Sequence, residues 1–184
     1  MRERRAAREL RRAHEFEEFV GGAGGRLLHV AALLTGEATD GAPGPVGGPH
    51  GPGEPVPRRH EAAERLLTAA LAATYAAWDR ARGEDPYDRA RQELATRYAR
   101  AARRSGSPAP GGVLAPLAPQ ERLVLVLCLA EGLAEEQTAA LLGLPVERVR
   151  ALRTRAVEVL LGGAPRAGRA TAGPWRTRPR RAGS

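Results

Sequence analysis

Apolar side chains recur along most of this chain at steps of three and four, and no stretch alternates apolar with polar residues as a half-buried strand would. The clearest run lies between His60 and Arg82. There Ala63, Leu67, Ala70, Leu71, Thr74 and Trp78 form one stripe and predict a helix with a single buried face. Ahead of it, "FEEFVGGAGGRLLHVAALLTG" gives two short apolar segments, and the glycines of "GGAGG" read as a helix break. Pro86 suits the first turn of another, more polar helix through "YDRARQELATRYARAARR", with Leu94 and Tyr98 four residues apart. The expected fold class is all-α.

Two stretches interrupt this pattern. From Gly36 to Pro57, 13 of 22 residues are Gly or Pro, which excludes a helix or central strand and reads as a flexible loop. "SGSPAPGGVLAP", from Ser105 to Pro116, has the composition of a linker. A chain of 184 residues then divides into two small helical domains joined by a flexible linker, a front one over 15–104 and a back one over 117–161.

In the back domain, Ala118 to Ala130 runs through "LVLVLCLA", apolar on nearly every side, as befits the buried centre of a small bundle. Gly132 ends it, Glu135 to Leu142 forms the next helix, and Gly143 turns the chain sharply through a left-handed backbone. Pro145 then suits the first turn of a third helix. Val146, Val149, Leu152, Ala156 and Leu160 fall on its inner side, while Glu147, Ala151, Thr154 and Glu158 face out. Small Ala139 allows close crossing, and Leu142, Leu144, Val149 and Leu152 join the two helices from inside, which is the logic of a helix-turn-helix. Arg148, Arg150 and Arg155 flank the outward face around short Ala151 and Thr154, so a groove wall can approach while guanidinium forks reach phosphates or guanine edges. The candidate DNA-contact set is Glu147, Arg148, Arg150, Ala151, Thr154 and Arg155. Arg153, near the packed edge, is expected to reach along the neighbouring helix or to the backbone instead. The alternative is a structural hairpin whose arginines only solvate it.

Charge sharpens this picture through its location. All 29 basic residues are arginines and the net charge is +8, of which residues 1–14 carry +4 and residues 162–184 carry +6, leaving the middle slightly acidic. Such basic ends are consistent with phosphate contacts, yet they read more simply as solvated tails. The lone Cys128 sits in an apolar run, so it reads as a small buried group, and a reducing cytoplasm fits. No apolar run approaches membrane-spanning length. His14, His29, His50 and His60 lack metal-ligand spacing, with His29 expected as a partly buried packing residue. No glycine loop joins a strand to a helix, so neither cofactor nor catalytic site is expected.

Taken together, "LAPQERLVLVLCLAEGLAEEQTAALLGLPVERVRALRTRA" resembles the fourth region of bacterial sigma factors of the extracytoplasmic-function type, the reader of the −35 promoter element. "FEEFVGGAGGRLLHVAALLTG" is similar to the start of their second region, "AAERLLTAALAATYAAW" stands in the place of the polymerase-binding helix, and "DPYDRARQELATRYARAARR" in that of the −10 helix. The resemblance implies core RNA polymerase and promoter DNA as partners, with an anti-sigma-like protein as a further one. It places Arg65, Thr68 and Ala72 on the polymerase-facing side, where the family usually has an acid and a glutamine for the first two. Tyr87 and Tyr98 are the rings of the −10 helix able to capture unstacked bases. The function implied is a sigma-like initiation factor. The alternatives are a DNA-binding relative without initiation activity and a helical protein-interaction module.

Overall fold

The computed structural model describes residues 2–37, 60–80, 83–105 and 112–162. Most of the Gly/Pro loop, the middle of the linker and the tail beyond residue 162 lie outside the described residues, as does His50. Six α-helices make up the described part: α1 (Arg2–Thr35), α2 (Glu61–Ala77), α3 (Pro86–Ser105), α4 (Pro119–Leu125), α5 (Glu135–Leu142) and α6 (Val146–Leu160), with α4 continuing as a π-helical turn, Val126–Ala130. The all-α expectation holds.

Two expectations for the start of the chain do not. The glycines of "GGAGG" do not break the helix, and the arginine-rich start is no separate tail: α1 runs unbroken through both for 34 residues. Packing on either side of the glycines explains the first result. Before them, Phe16 and Phe19 meet Tyr75 and Trp78 in a ring cluster with centroids 4.9–5.9 Å apart. After them, Leu27, Val30, Ala31 and Leu34 are fully buried. Both anchors fix the helical path across a weak segment, and tertiary packing outweighs propensity. Gly21, Gly22 and Gly25 themselves face solvent, and a Cβ at each would meet nothing within 4 Å. Replacing the three by alanine should therefore stabilise the protein by about 2 kcal/mol in total, at roughly 0.5–1 per site, read as a raised midpoint of chemical denaturation.

Helices α1 and α2 run antiparallel. Phe16 meets the end of α2, whereas Glu37, just past α1, meets its beginning: the Glu37 carboxylate accepts the backbone N–H groups of Ala62 and Ala63 at 2.9 and 2.8 Å. The N-cap residue His60 makes no side-chain cap hydrogen bond, so Glu37 supplies the missing acceptor from across the loop. Its negative charge also suits the positive end of the helix dipole. Glu37→Ala is expected to cost about 1–2 kcal/mol of stability, again measured by denaturant unfolding. The α2 stripe turns inward as its spacing requires, with Ala63, Ala70 and Thr74 buried and Leu67, Leu71 and Trp78 half-buried. Helix α3 closes the front layer through Ala90, Leu94, Ala95 and Tyr98. His29 is exposed on α1 rather than packed, because its neighbours Leu27, Val30 and Ala31 take the buried side.

Helix α4 is central, which answers why it is apolar all round. Leu123, Val126 and Leu127 join the front core of Val30, Leu34, Ala63, Ala70, Leu94 and Tyr98. Val124 packs with Ala139, Val149 and Leu152, and Leu125 with Leu117 and Ala156. The end of the run escapes full burial: Cys128, expected as a buried group, is half-buried, and Leu129 and Ala130 are exposed. The front and back helices thus share apolar contacts as well as their own, and two buried charged residues add to the join. Arg122, 1 % exposed, donates to the carbonyl of Leu34 at the end of α1 and to those of Leu114 and Leu117 in the turn before α4, all at 3.1–3.2 Å. Glu131, at the end of the π-helical turn, has a fully buried carboxylate that meets α1 and α3.

Candidate nucleic-acid interface

The back domain is built around Gly143. Its backbone is left-handed at φ 64° and ψ 38°, Leu144 N–H bonds back to the Ala139 carbonyl at 3.0 Å, and α5 ends in a tight turn that a side-chain-bearing residue would strain. Pro145 then lies just before α6 rather than within its first turn, in an extended conformation that releases the chain into the new helix. Val149, Leu152 and Ala156 are buried on the inner side of α6, with Val149 and Leu152 against Ala139 and Val124, while Val146 and Leu160 are half-buried. The inward stripe of α6 and the turn that sets its direction are as the sequence predicts.

All six candidate contact residues, Glu147, Arg148, Arg150, Ala151, Thr154 and Arg155, are exposed. At 100° per residue, Ala151 and Thr154 occupy the middle of the outward face, Arg148 and Arg155 lie along one edge and Arg150 along the other. Glu147 and Glu158 mark the two ends of the same face. The arginines are held differently. Arg148 makes no ion pair or hydrogen bond among the described residues. Arg150 donates through Nε to Glu135 Oε2 at 2.9 Å, and Arg155 Nε stands 2.8 Å from Glu121 Oε1. Both carboxylates sit near helix starts and are largely buried, so they act as fixed supports, whereas the arginine side chains remain 57 % and 68 % exposed. Holding a guanidinium by Nε orients its Nη groups outward, the geometry that a bidentate contact to phosphate or guanine requires. Arg153 reaches the neighbouring helix as expected, with Nη2 3.0 Å from Glu135 Oε1.

In the front domain Arg65, Thr68 and Ala72 are exposed together on one side of α2, and Arg65 is ion-paired with Glu61. The two rings of α3 turn into the protein. Tyr98 is 6 % exposed, and the Tyr87 hydroxyl donates to Glu131 Oε1 at 2.9 Å beneath the guanidinium of Arg26. Arg26 Nε and Arg91 Nη1 complete the set around Glu131 at 3.1 and 3.5 Å. Glu131 and its neighbour Tyr87 raise the Arg26 pKa further above its ordinary value. Burial, and then the hydrogen bond to Glu131, push the Tyr87 phenol well above its ordinary value.

A phenol whose pKa is raised by folding contributes stability that is fully present below the unfolded value, about 10, and is lost as the pH climbs toward the folded value. The stability difference between the wild type and Tyr87→Phe should accordingly be constant up to about pH 10 and shrink above it. Denaturation midpoints of both proteins across alkaline pH test this.

A short helix, a left-handed glycine turn and a second helix with a buried aliphatic stripe and an open arginine-edged face define a helix-turn-helix. Residues 113–160 match the family model described as Sigma-70, region 4. That segment is a sigma-like, DNA-binding transcription domain, of a regulatory and not an enzymatic family. No curated protein and no solved structure matches the chain. No helix among the described residues is long and apolar enough to cross a membrane.

Sequence reasoning missed the residues that support this surface. Glu121 and Glu135 carry a partial signal, since each stands at the start of a predicted helix, where acids are favoured. Arg122 and Glu131 carry none that spacing reveals, because their partners come from distant parts of the chain.

Proposed function

We propose that this protein is a sigma-like transcription initiation factor of the extracytoplasmic-function type. Helix α6 reads a −35-like promoter element, and the face of α2 bearing Arg65, Thr68 and Ala72 docks on core RNA polymerase. The observation that carries the reading is the open face of α6, with Arg148, Arg150 and Arg155 along its edges, inside the segment that matches sigma region 4. The test is reconstitution of the purified protein with core polymerase on promoter templates. Association together with promoter-dependent transcripts is the expected result, and the absence of both defeats the reading.

A second reading, a DNA-binding regulator that does not initiate, is favoured by the inward placement of Tyr87 and Tyr98. Strand opening needs rings or pockets free to capture unstacked bases, and these two are engaged within the protein. Both readings entail salt-sensitive duplex binding and separate on polymerase association.

A further inference from the structure

The first turns of α1 carry six arginines, Arg2, Arg4, Arg5, Arg8, Arg11 and Arg12, against two acids, Glu3 and Glu9. At 100° per residue, Arg4, Arg8 and Arg11 fall within one narrow strip, with Arg5 and Arg12 beside it, Glu3 and Glu9 off to either side, and Glu15 at its far end one turn past Arg11. Arg12 is used internally: it stacks on Tyr75, donates to the Tyr75 carbonyl and pairs with Asp79. By contrast, Arg4, Arg5, Arg8 and Arg11 are exposed and have no ion pair or hydrogen bond among the described residues.

Elsewhere among the described residues, eight arginines meet a carboxylate. Arg26 and Arg91 meet Glu131, Arg65 meets Glu61, Arg89 and Arg97 meet Glu93, and Arg150, Arg153 and Arg155 meet Glu135 or Glu121. The strip is also arranged against helix stability. Arg4 with Arg8 and Arg8 with Arg12 are like charges at i,i+4, Arg5 with Arg8 and Arg8 with Arg11 at i,i+3, and Arg4 and Arg5 stand in the first turn, at the positive end of the helix dipole. A dense polyanion laid on this side relieves both the mutual repulsion and the unfavourable dipole.

We infer that the exposed arginine strip at the start of α1, centred on Arg4, Arg8 and Arg11, is a second DNA-contact surface that binds the phosphate backbone of a duplex without reading its sequence. From Arg4 to Arg11 the helix rises about 10 Å, a length over which one strand of duplex DNA presents about three phosphates. Charge density therefore matches along the strip, and no apolar or hydrogen-bonding group is interspersed among Arg4, Arg8 and Arg11 to select a base or a peptide. Duplex DNA is favoured over an acidic protein because the same chain carries a DNA-binding domain at its other end. The inference rests on the proposed function only for the duplex that α6 engages. It adds a sequence-independent contact that raises local affinity.

The experiment measures duplex affinity of the full chain by fluorescence anisotropy as a function of salt. It compares the wild type with Arg4→Gln/Arg8→Gln/Arg11→Gln, with the corresponding triple lysine variant, and with Arg148→Ala/Arg150→Ala. Circular dichroism verifies that each is helical. The glutamine triple should weaken binding to every duplex alike and lower the slope of log affinity against log salt by about 2–3, near 0.9 per lost phosphate contact, while the lysine triple keeps the wild-type slope. The α6 double variant should instead lose preference between duplexes.

An unchanged slope and affinity in the glutamine triple overturns the strip as a DNA contact and leaves the sigma reading standing. Loss of binding in the lysine triple as severe as in the glutamine triple also overturns it, since charge alone would then not account for the contact. Polyglutamate bound more tightly than duplex, with that binding lost in the glutamine triple, makes the occupant an acidic protein and overturns the assignment to DNA. Failure of the polymerase reconstitution, with the salt slope behaving as expected, defeats initiation and supports the strip.

Discussion

Replacing Arg148 and Arg150 together with alanine should weaken specific duplex binding by about 2–6 kcal/mol, from roughly 1–3 for each arginine that reads a base edge. The two lie on opposite edges of the outward face of α6 and share no partner, so their losses should nearly add. They should differ in kind. Arg148 is unrestrained among the described residues and must lose side-chain freedom on binding, whereas Arg150 is already held by Glu135. The double variant should also remain folded, because neither side chain contributes to the cores around Val149 and Leu152. Anisotropy titrations against matched and scrambled duplexes measure both quantities, and unchanged affinity would remove α6 from the interface.

The second large effect concerns stability. Arg122→Ala is expected to cost about 3–5 kcal/mol, because it leaves the carbonyls of Leu34 and Leu117 without this donor, takes one of two donors from that of Leu114, and opens a void at a fully buried position. Against a typical total of about 5–15 kcal/mol, that loss leaves much of the protein unfolded at modest temperature. Arg122→Lys tests the cause. An ammonium retains the charge but cannot span three carbonyls as a planar fork does, so it should recover part of the stability and not all of it. Urea or guanidinium unfolding of the three proteins, followed by helical signal, gives the comparison.

What could be foreseen from sequence was what depends on near neighbours. The α2 stripe and the inward side of α6 follow from side chains three and four residues apart, and Gly143 follows from a backbone conformation that only a glycine adopts cheaply between two apolar runs. The outward position of Arg148, Arg150 and Arg155 is the complement of that inward stripe, so it too was legible.

The continuity of α1 was not. Local propensity argues against helix at Gly21–Gly25, and what overrides it is a ring cluster and an aliphatic core on either side that sequence spacing alone does not connect. Arg122 and Glu131 were hidden for a related reason. Arg122 is separated by 88 residues from Leu34, and Glu131 by 105 from Arg26, so neither buried charge announces a partner nearby. Tyr87 and Tyr98 carried a misleading signal: a ring on a polar helix suggests an exposed contact, yet both are drawn in by the back half of the chain.

The π-helical turn at Val126–Ala130 links these features. Its wider winding sends the Glu131 N–H to the Val126 carbonyl, five residues back, and brings the Glu131 side chain onto Arg26, Tyr87 and Arg91. Each α-helical residue advances the heading by about 100°, so the one additional residue in this turn works as an angular shim between the front helices and the helix-turn-helix. Straightening it would leave α5 and α6 individually intact while pointing them elsewhere. The aim of the arginine-edged face is thus set by main-chain winding well outside it, at a place no duplex need ever touch.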